Sequence, residues 1–160
     1  MNNVFLLTGG NIGNRIQNLN QAKKTIEQKV GQIVSASKIY ETEAWGKTDQ
    51  PSFFNQVLHV QCLHKPIEIL HLILGIELSM GRKRLVKYGP RLIDIDILFY
   101  NNEVVDTPEL TVPHPQIQNR RFVLTPLAEL AATYLHPVLH KTVAVLLSEC
   151  EDPLMVKAII

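Results

Sequence analysis

The chain has only two cysteines in 160 residues, Cys62 and Cys150, far apart and with no Cys-x-x-Cys pair. That excludes a disulfide framework and offers no zinc-site spacing. Charge of one sign is also missing, since sixteen Lys and Arg against fifteen Asp and Glu leave a formal net charge of +1. No overall field then draws the chain to nucleic acid or to an anionic membrane, and any anion site must arise from local clustering. Aromatic residues make up 6% of the chain and form no RNP-like strand, which counts against RNA as a partner. No apolar run reaches the length of a membrane span. Val4–Thr8 is too short for a secretory leader and has no basic region before it, so a reducing cytoplasm is the expected compartment. The early glycines fit neither the Walker spacing nor the three-glycine dinucleotide pattern, and Gly9-Gly10-Asn11-Ile12-Gly13 reads as a tight strand-to-helix turn. No Ser-His-Asp or Cys-His set can be defended, so a covalent enzyme intermediate is not expected.

What is present is 46% apolar residues, enough for a core in one domain spanning 1–160, with no repeat, low-complexity tract or linker. Val4–Thr8 reads as a strand, and Arg15 to Val30 as a helix with Ile16, Leu19, Ala22 and Ile26 at helical spacing. Ile33 to Glu43 alternates as a second strand, and Trp45 to Pro51 is a loop. Phe53 to Leu63 is a third strand, with Phe54, Leu58, Val60 and Cys62 on one face and Phe53, Asn55 and Val57 on the other. Pro66 opens a second helix that ends near Gly81. A basic loop, Arg82 to Tyr88, precedes a strand through Asp94 and Asp96; Asn101-Asn102 turns a hairpin into Glu103–Val105. Leu110 to Gln118 is an extended, Pro-punctuated loop, and helices are expected over Arg120–Thr133 and Lys141–Glu149. The order β-α-β-β-α-β predicts an α+β fold of the ferredoxin-like, split β-α-β kind. It comprises an antiparallel sheet with helices on one face, plus an extra hairpin and C-terminal helices.

The most informative run is Gly89-Pro90-Arg91-Leu92-Ile93-Asp94-Ile95-Asp96-Ile97-Leu98-Phe99. After the Gly-Pro break it alternates with period two, so Asp94 and Asp96 share one face while Ile93, Ile95 and Ile97 share the other. Adjacent carboxylates repel, and a cation offsets the cost. Paired hard oxygen ligands suit Mg²⁺, which binds through one or two carboxylates plus substrate phosphates. The alternative for this run alone is an edge strand with a solvated acidic face. Arg82, Lys83, Arg84 and Lys87, with Arg91, form a cationic set beside the aspartates. It is either a solvated loop or the other half of a polyphosphate site, in which Arg and Lys hold oxygens opposite the metal. Gly81 and Gly89 near its ends would let it close as a lid. His114, between Pro113 and Pro115, is held in a restrained loop, either to position its ring against a phosphate or simply as structure. Trp45, Phe53, Asn55 and Phe122 would sandwich a flat heterocycle and pair its edge, unless each is ordinary packing.

Taken together, these residues resemble the 6-hydroxymethyl-7,8-dihydropterin pyrophosphokinases of folate synthesis. The likeness includes the Gly89–Leu98 signature, Gly9-Gly10-Asn11, Tyr40-Glu41-Thr42, Asp49-Gln50-Pro51 and Phe53-Phe54-Asn55. It continues through Ile76-Glu77-Leu78, Gly81-Arg82 and Leu110–His114 to Asn119-Arg120 and Phe122, covering most of residues 4 to 130. The resemblance implies transfer of the terminal diphosphate of ATP to the pterin hydroxymethyl oxygen, with AMP released. It implies Asp94 and Asp96 as ligands of two Mg²⁺ ions, and Arg82 and Arg91 as catalytic arginines. It places Glu77, Arg84, Arg91, Leu98, Thr111, His114 and Arg120 on ATP. Thr42 (through its backbone), Glu43, Trp45, Phe53, Asn55 and Phe122 fall on the pterin. The partners implied are these two small molecules, with no nucleic acid, no membrane and a monomeric chain. Departures from the family pattern are Trp45 where Leu is common, Tyr88 for a Trp, Glu109 for a basic residue and Pro115 for an aromatic. The loop from Arg84 to Gly89 is also one residue shorter. Rival readings are another Mg²⁺-dependent phosphoryl or nucleotidyl transferase, and a ferredoxin-like module that binds nucleotide without chemistry.

Overall fold

The computed structural model describes residues 1–43, 49–81 and 92–160. Strand β1 (Asn2–Gly10) is buried along most of its length because apolar side chains leave it on both faces. Val4 and Leu6 join the core under helices α1 (Arg15–Lys29) and α2 (Pro66–Ser79), whereas Phe5 and Leu7 join a second core. A strand so covered reads as a continuous apolar run rather than an alternating one. Helix α1 starts where the Asn14 side chain accepts a bond from the Gln17 amide at 3.1 Å, which satisfies one of its free N–H groups. At α2 the Glu68 carboxylate accepts from the Lys65 amide at 2.7 Å, and Pro66 occupies the first turn.

The main sheet runs β5 (Asp94–Tyr100), β1, β4 (Phe53–Cys62), β3 (Tyr40–Thr42), β8 (Val156–Ala158), with β2 (Gln32–Ala36) also on β4. Every pairing in it is antiparallel. With α1 and α2 over one face, this is the split β-α-β arrangement expected. The expected second strand, Ile33 to Glu43, is two strands instead. Ser37 interrupts it: its hydroxyl accepts from the Val57 amide at 2.9 Å and its own amide donates to the Val57 carbonyl at 2.9 Å. A side chain thus stands in for part of the ladder, and the pairing resumes at Tyr40 opposite Asn55 with its register shifted.

The C-terminal helices are the expected additions to the β-α-β arrangement, and they lie across the sheet from α1 and α2: α3 (Arg121–Ala131) and α4 (Val143–Glu149) build the second core over the opposite face, with Val123, Leu124, Leu127, Val143 and Leu146 against Phe5, Leu7, Val57 and Leu98. Burying each such side chain contributes about 1.5–3 kcal/mol relative to exposure. One further expectation is corrected: the residues after Asn101 do not fold back on β5. Instead β6 (Val105–Asp106) pairs with β7 (Thr111–Val112) in a small sheet of its own. The outer edge of β5 is already engaged, since the Ile95 amide donates to Glu77 and the Leu98 carbonyl accepts from the His114 amide. Strand β8 went unrecognised because its three residues carry no periodic signal.

Candidate active site

Asp94 and Asp96 open β5, half-buried, with Ile95 and Ile97 turned into the α1/α2 core. The period-two reading therefore holds, on a strand that ends the sheet. The carboxylates point to the α3/α4 side. Strand β5 carries one extra residue at Leu98, because Phe5 pairs with Phe99 while Leu6 pairs with Ile97. The bulge puts both Leu98 and Phe99 into the second core and leaves the aspartates on the same side.

Cross-strand register then sets out the site. Asp94 pairs with Gly9, Gly9 with Asn55, and Asn55 with Tyr40, so these four lie in one row across the sheet. Asp96, Leu7 and Val57 form the next row. At the usual strand spacing, Asp94 and Asn55 are about 10 Å apart, with a residue that has no side chain between them. A Cβ on Gly9 would lie 2.0 Å from Asn55 Oδ1, so the amide occupies the space above that glycine. Thr42 pairs with Phe53, which places Thr42, Phe53 and Asn55 on this same face. Among the described residues, Thr42 Oγ1 and Asn55 Nδ2 are buried without a hydrogen-bond partner. A third such atom, Gln56 Oε1, belongs to the opposite face. Buried polar groups are nearly always satisfied, so two orphans on one face mark where a polar ligand edge would complete the bonding.

Glu77 on α2 is buried and its Oε2 accepts from the Ile95 amide at 2.7 Å. It fastens the backbone between the two aspartates. His114 follows a cis Val112–Pro113 bond, and its amide donates to the Leu98 carbonyl at 3.0 Å. Its Nδ1 accepts from the Gln116 amide at 3.1 Å, which leaves the proton of the neutral ring on Nε2 as a donor. Burial, and then the nearby Arg120 charge, push its pKa down to about 4, so the ring is neutral at physiological pH. The Arg120 guanidinium lies 5.8 Å from the Phe122 ring, at the start of α3.

Other named positions are less central. Leu98 is 1% exposed and its side chain belongs to the core, so only its main chain is available to a ligand. Thr111 and Glu43 are exposed. Glu109 approaches His71 on α2, at 3.5 Å, on the surface. Trp45, Arg82, Arg84, Tyr88 and Arg91, the basic loop and its lid reading all lie outside the described residues. Sequence reasoning missed Arg15, whose guanidinium stacks on Phe54 at 3.8 Å and donates to the Ser52 carbonyl and hydroxyl at 2.9 and 2.8 Å. With Asn11, which donates to Gln50 and Pro51, it ties the glycine turn to the chain entering β4. The available signal was a cation at the first position of α1, directly after the glycine turn.

The model of the family described as 7,8-dihydro-6-hydroxymethylpterin-pyrophosphokinase matches residues 5–132. The chain belongs to that family. The pyrophosphokinase of Aquifex aeolicus is 40% identical over 141 residues, which is 88% of this chain and 88% of that protein. The Bacillus subtilis pyrophosphokinase is 42% identical over 132 residues, covering 81% of this chain and 79% of the relative. The chain also matches the folic acid synthesis protein of Dictyostelium discoideum at 40% identity, but spans only 21% of it. Among solved structures, the Plasmodium falciparum HPPK-DHPS protein with pterin and p-hydroxybenzoate superposes with a TM-score of 0.75 at 20% identity. It covers 92% of this chain and 43% of that one, a likeness of fold. Within the pyrophosphokinase family match lie Asp94, Asp96, Asn55, His114 and Phe122, whereas β8 and α4 fall beyond it.

Proposed function

We propose that this chain transfers the diphosphate of ATP to the hydroxymethyl oxygen of 6-hydroxymethyl-7,8-dihydropterin, giving the pterin diphosphate and AMP. The observation that carries the reading is the row Asp94–Gly9–Asn55, which sets the first carboxylate of the Asp94/Asp96 pair across a bare glycine from a heterocycle-pairing amide. On this reading the pterin lies between Phe53 and Phe122, with Trp45 adding a stacking surface. Asn55 Nδ2 and the Thr42 main chain pair its polar edge. ATP lies along β5, with Arg120 and the Nε2–H of His114 on its phosphates and Thr111, Leu98 and Glu43 at the margins of the two sites.

The hydroxymethyl oxygen attacks the β-phosphorus. The bond from that phosphorus to the oxygen bridging the α-phosphate breaks, AMP leaves with that oxygen, and the hydroxyl proton passes to solvent. Arg82 and Arg91 hold the non-bridging oxygens whose charge grows along this path, while Glu77 keeps the Asp94–Asp96 backbone in place. Among the described residues no group of three or more His, Cys, Asp or Glu forms a complete metal cage. Two carboxylates on one face fit Mg²⁺, which takes much of its coordination from substrate phosphates. Asp94 and Asp96 are the residues that would hold two such ions, which supply charge compensation to the triphosphate. Catalysis is thus by positioning and electrostatics. On this reading the chain works as a monomer, and no helix among the described residues is long and apolar enough to cross a membrane.

Incubation with Mg²⁺-ATP, with and without the reduced pterin, tests the reading. AMP formed only when pterin is present is expected, and chelating Mg²⁺ abolishes it. ADP as the product, or no turnover, overturns it. Sedimentation at working concentration checks the monomer.

A further inference from the structure

Helix α3 begins at the pocket but does not cap itself. Arg120 stands at its N-cap position and makes no side-chain cap bond. The missing acceptors come from beyond residue 132, outside the family match. Asp152, 6% exposed, accepts from the Arg121 amide through Oδ2 at 3.0 Å and from the Leu154 amide through Oδ1 at 3.0 Å. Arg121 returns the contact: Nε donates to the Asp152 carbonyl at 3.1 Å and Nη2 to the Cys150 carbonyl at 2.8 Å. The two neighbours of Arg121 in sequence are Arg120 and Phe122, assigned above to ATP and pterin. The same segment then pairs as β8 with β3, setting Val156 opposite Thr42, and exchanges main-chain bonds between residues 159–160 and Ile39. One stretch of chain therefore grips both walls of the proposed pterin pocket.

We propose that residues 150–160 brace the pterin pocket, with Asp152 as a positioning residue that fixes Phe122 at the start of α3. The proposal rests on the pocket assignment made above. A buried carboxylate at an N-cap both satisfies an amide and favours the positive end of the helix, so its loss loosens the first turn. A tail that only stabilised the fold would lower the amount of active protein without changing the pterin concentration needed for half-maximal rate.

The test is steady-state kinetics on the full chain with Asp152→Ala, Asp152→Asn and the milder Arg121→Gln, alongside Phe122→Ala. Asp152→Ala is expected to raise the pterin KM about tenfold, the range of a lost N-cap, with kcat within about twofold of wild type. Arg121→Gln shifts KM in the same direction by less, and Asp152→Asn, which keeps one carbonyl acceptor, recovers most of the loss. Hydrogen exchange at the Arg121 amide speeds up in parallel. If Phe122→Ala raises the pterin KM while Asp152→Ala and Arg121→Gln leave it unchanged, the brace is refuted and the pocket stands. Should Asp152→Ala not fold, an unchanged KM in Arg121→Gln refutes the brace by itself. If Phe122→Ala also leaves KM unchanged, the pocket assignment and the brace fall together.

Discussion

Gly9→Ala is the sharpest perturbation of the site that the structure offers. The added methyl would sit 2.0 Å from Asn55 Oδ1, 3.1 Å from its Cγ and 3.4 Å from the Phe54 carbonyl oxygen. The backbone contact is already ordinary, so the strain falls on the Asn55 amide, which must retreat by about 1.4 Å to go from 2.0 to 3.4 Å. Overpacking of this size costs about 1–3 kcal/mol, or roughly 2 to 12 °C in Tm for a chain of this length. The functional cost is separate. A displaced amide no longer meets the pterin edge, and a lost hydrogen bond of about 1–3 kcal/mol corresponds to a pterin KM raised about 5- to 150-fold. The ATP KM stays near wild type, since Asp94 is on the neighbouring strand and is not the group pushed. Gly31→Ala is the matched control: its Cβ would meet the Gln61 carbonyl at 2.3 Å, a backbone clash away from the row. It loses stability without a change in pterin KM. The assay is pterin and ATP titration of both variants below their melting temperatures. If Gly9→Ala keeps a wild-type pterin KM, or if Gly31→Ala raises it equally, the placement of Asn55 against the pterin is wrong.

Three further outcomes follow from the same geometry. Asp96→Ala, on a half-buried side chain, is expected to keep a near-native melting curve and lose roughly a thousandfold in kcat, the scale of removed transition-state charge stabilisation; a near-wild-type rate refutes the metal assignment. Glu77→Leu strands the buried Ile95 amide and costs about 1–3 kcal/mol by denaturant melting, whereas Glu77→Gln, which retains an acceptor, recovers most of it; equal losses refute the fastening role. His114 has a folded pKa pushed down to about 4 by burial and by Arg120, below its ordinary 6.5. The unfolded chain therefore binds the proton first, and this contribution, full above pH 6.5, is lost as pH falls towards 4, by roughly 3 kcal/mol at most. His114→Gln should flatten that acid limb in thermal melts between pH 7.5 and 4.5, and parallel curves for the two proteins refute it.

Legibility in the sequence followed the range of the interactions. Asp94 and Asp96 were placed on one face by alternation alone, because a strand's side-chain period is local and Ile95 and Ile97 needed a core. Arg15–Lys29 and Pro66–Ser79 were legible for the same reason, each with a stripe of apolar residues and a starting signal. The split of the expected Ile33–Glu43 strand was not, since it depends on a Ser37 hydroxyl meeting a main-chain amide of β4. The small sheet at Val105 and Thr111 depends on what had already taken the edge of β5. Asp152 gave no signal, because an isolated acidic residue becomes a cap only when the chain returns to a helix that lacks one.

By itself, then, the sequence determined the paired aspartates, their suitability for a divalent cation and the family to which they belong, because all three reside in short contiguous runs. Only the tertiary structure decided that Asp94, Gly9, Asn55 and Tyr40 share a row, since register between distant strands is set by the whole sheet. It also decided that α3 and α4 cover the far face, and that residues 150–160 close on the start of α3. The chemistry is written locally. The distance over which it acts is fixed by packing, because only the folded sheet brings a carboxylate and an amide to either side of a glycine.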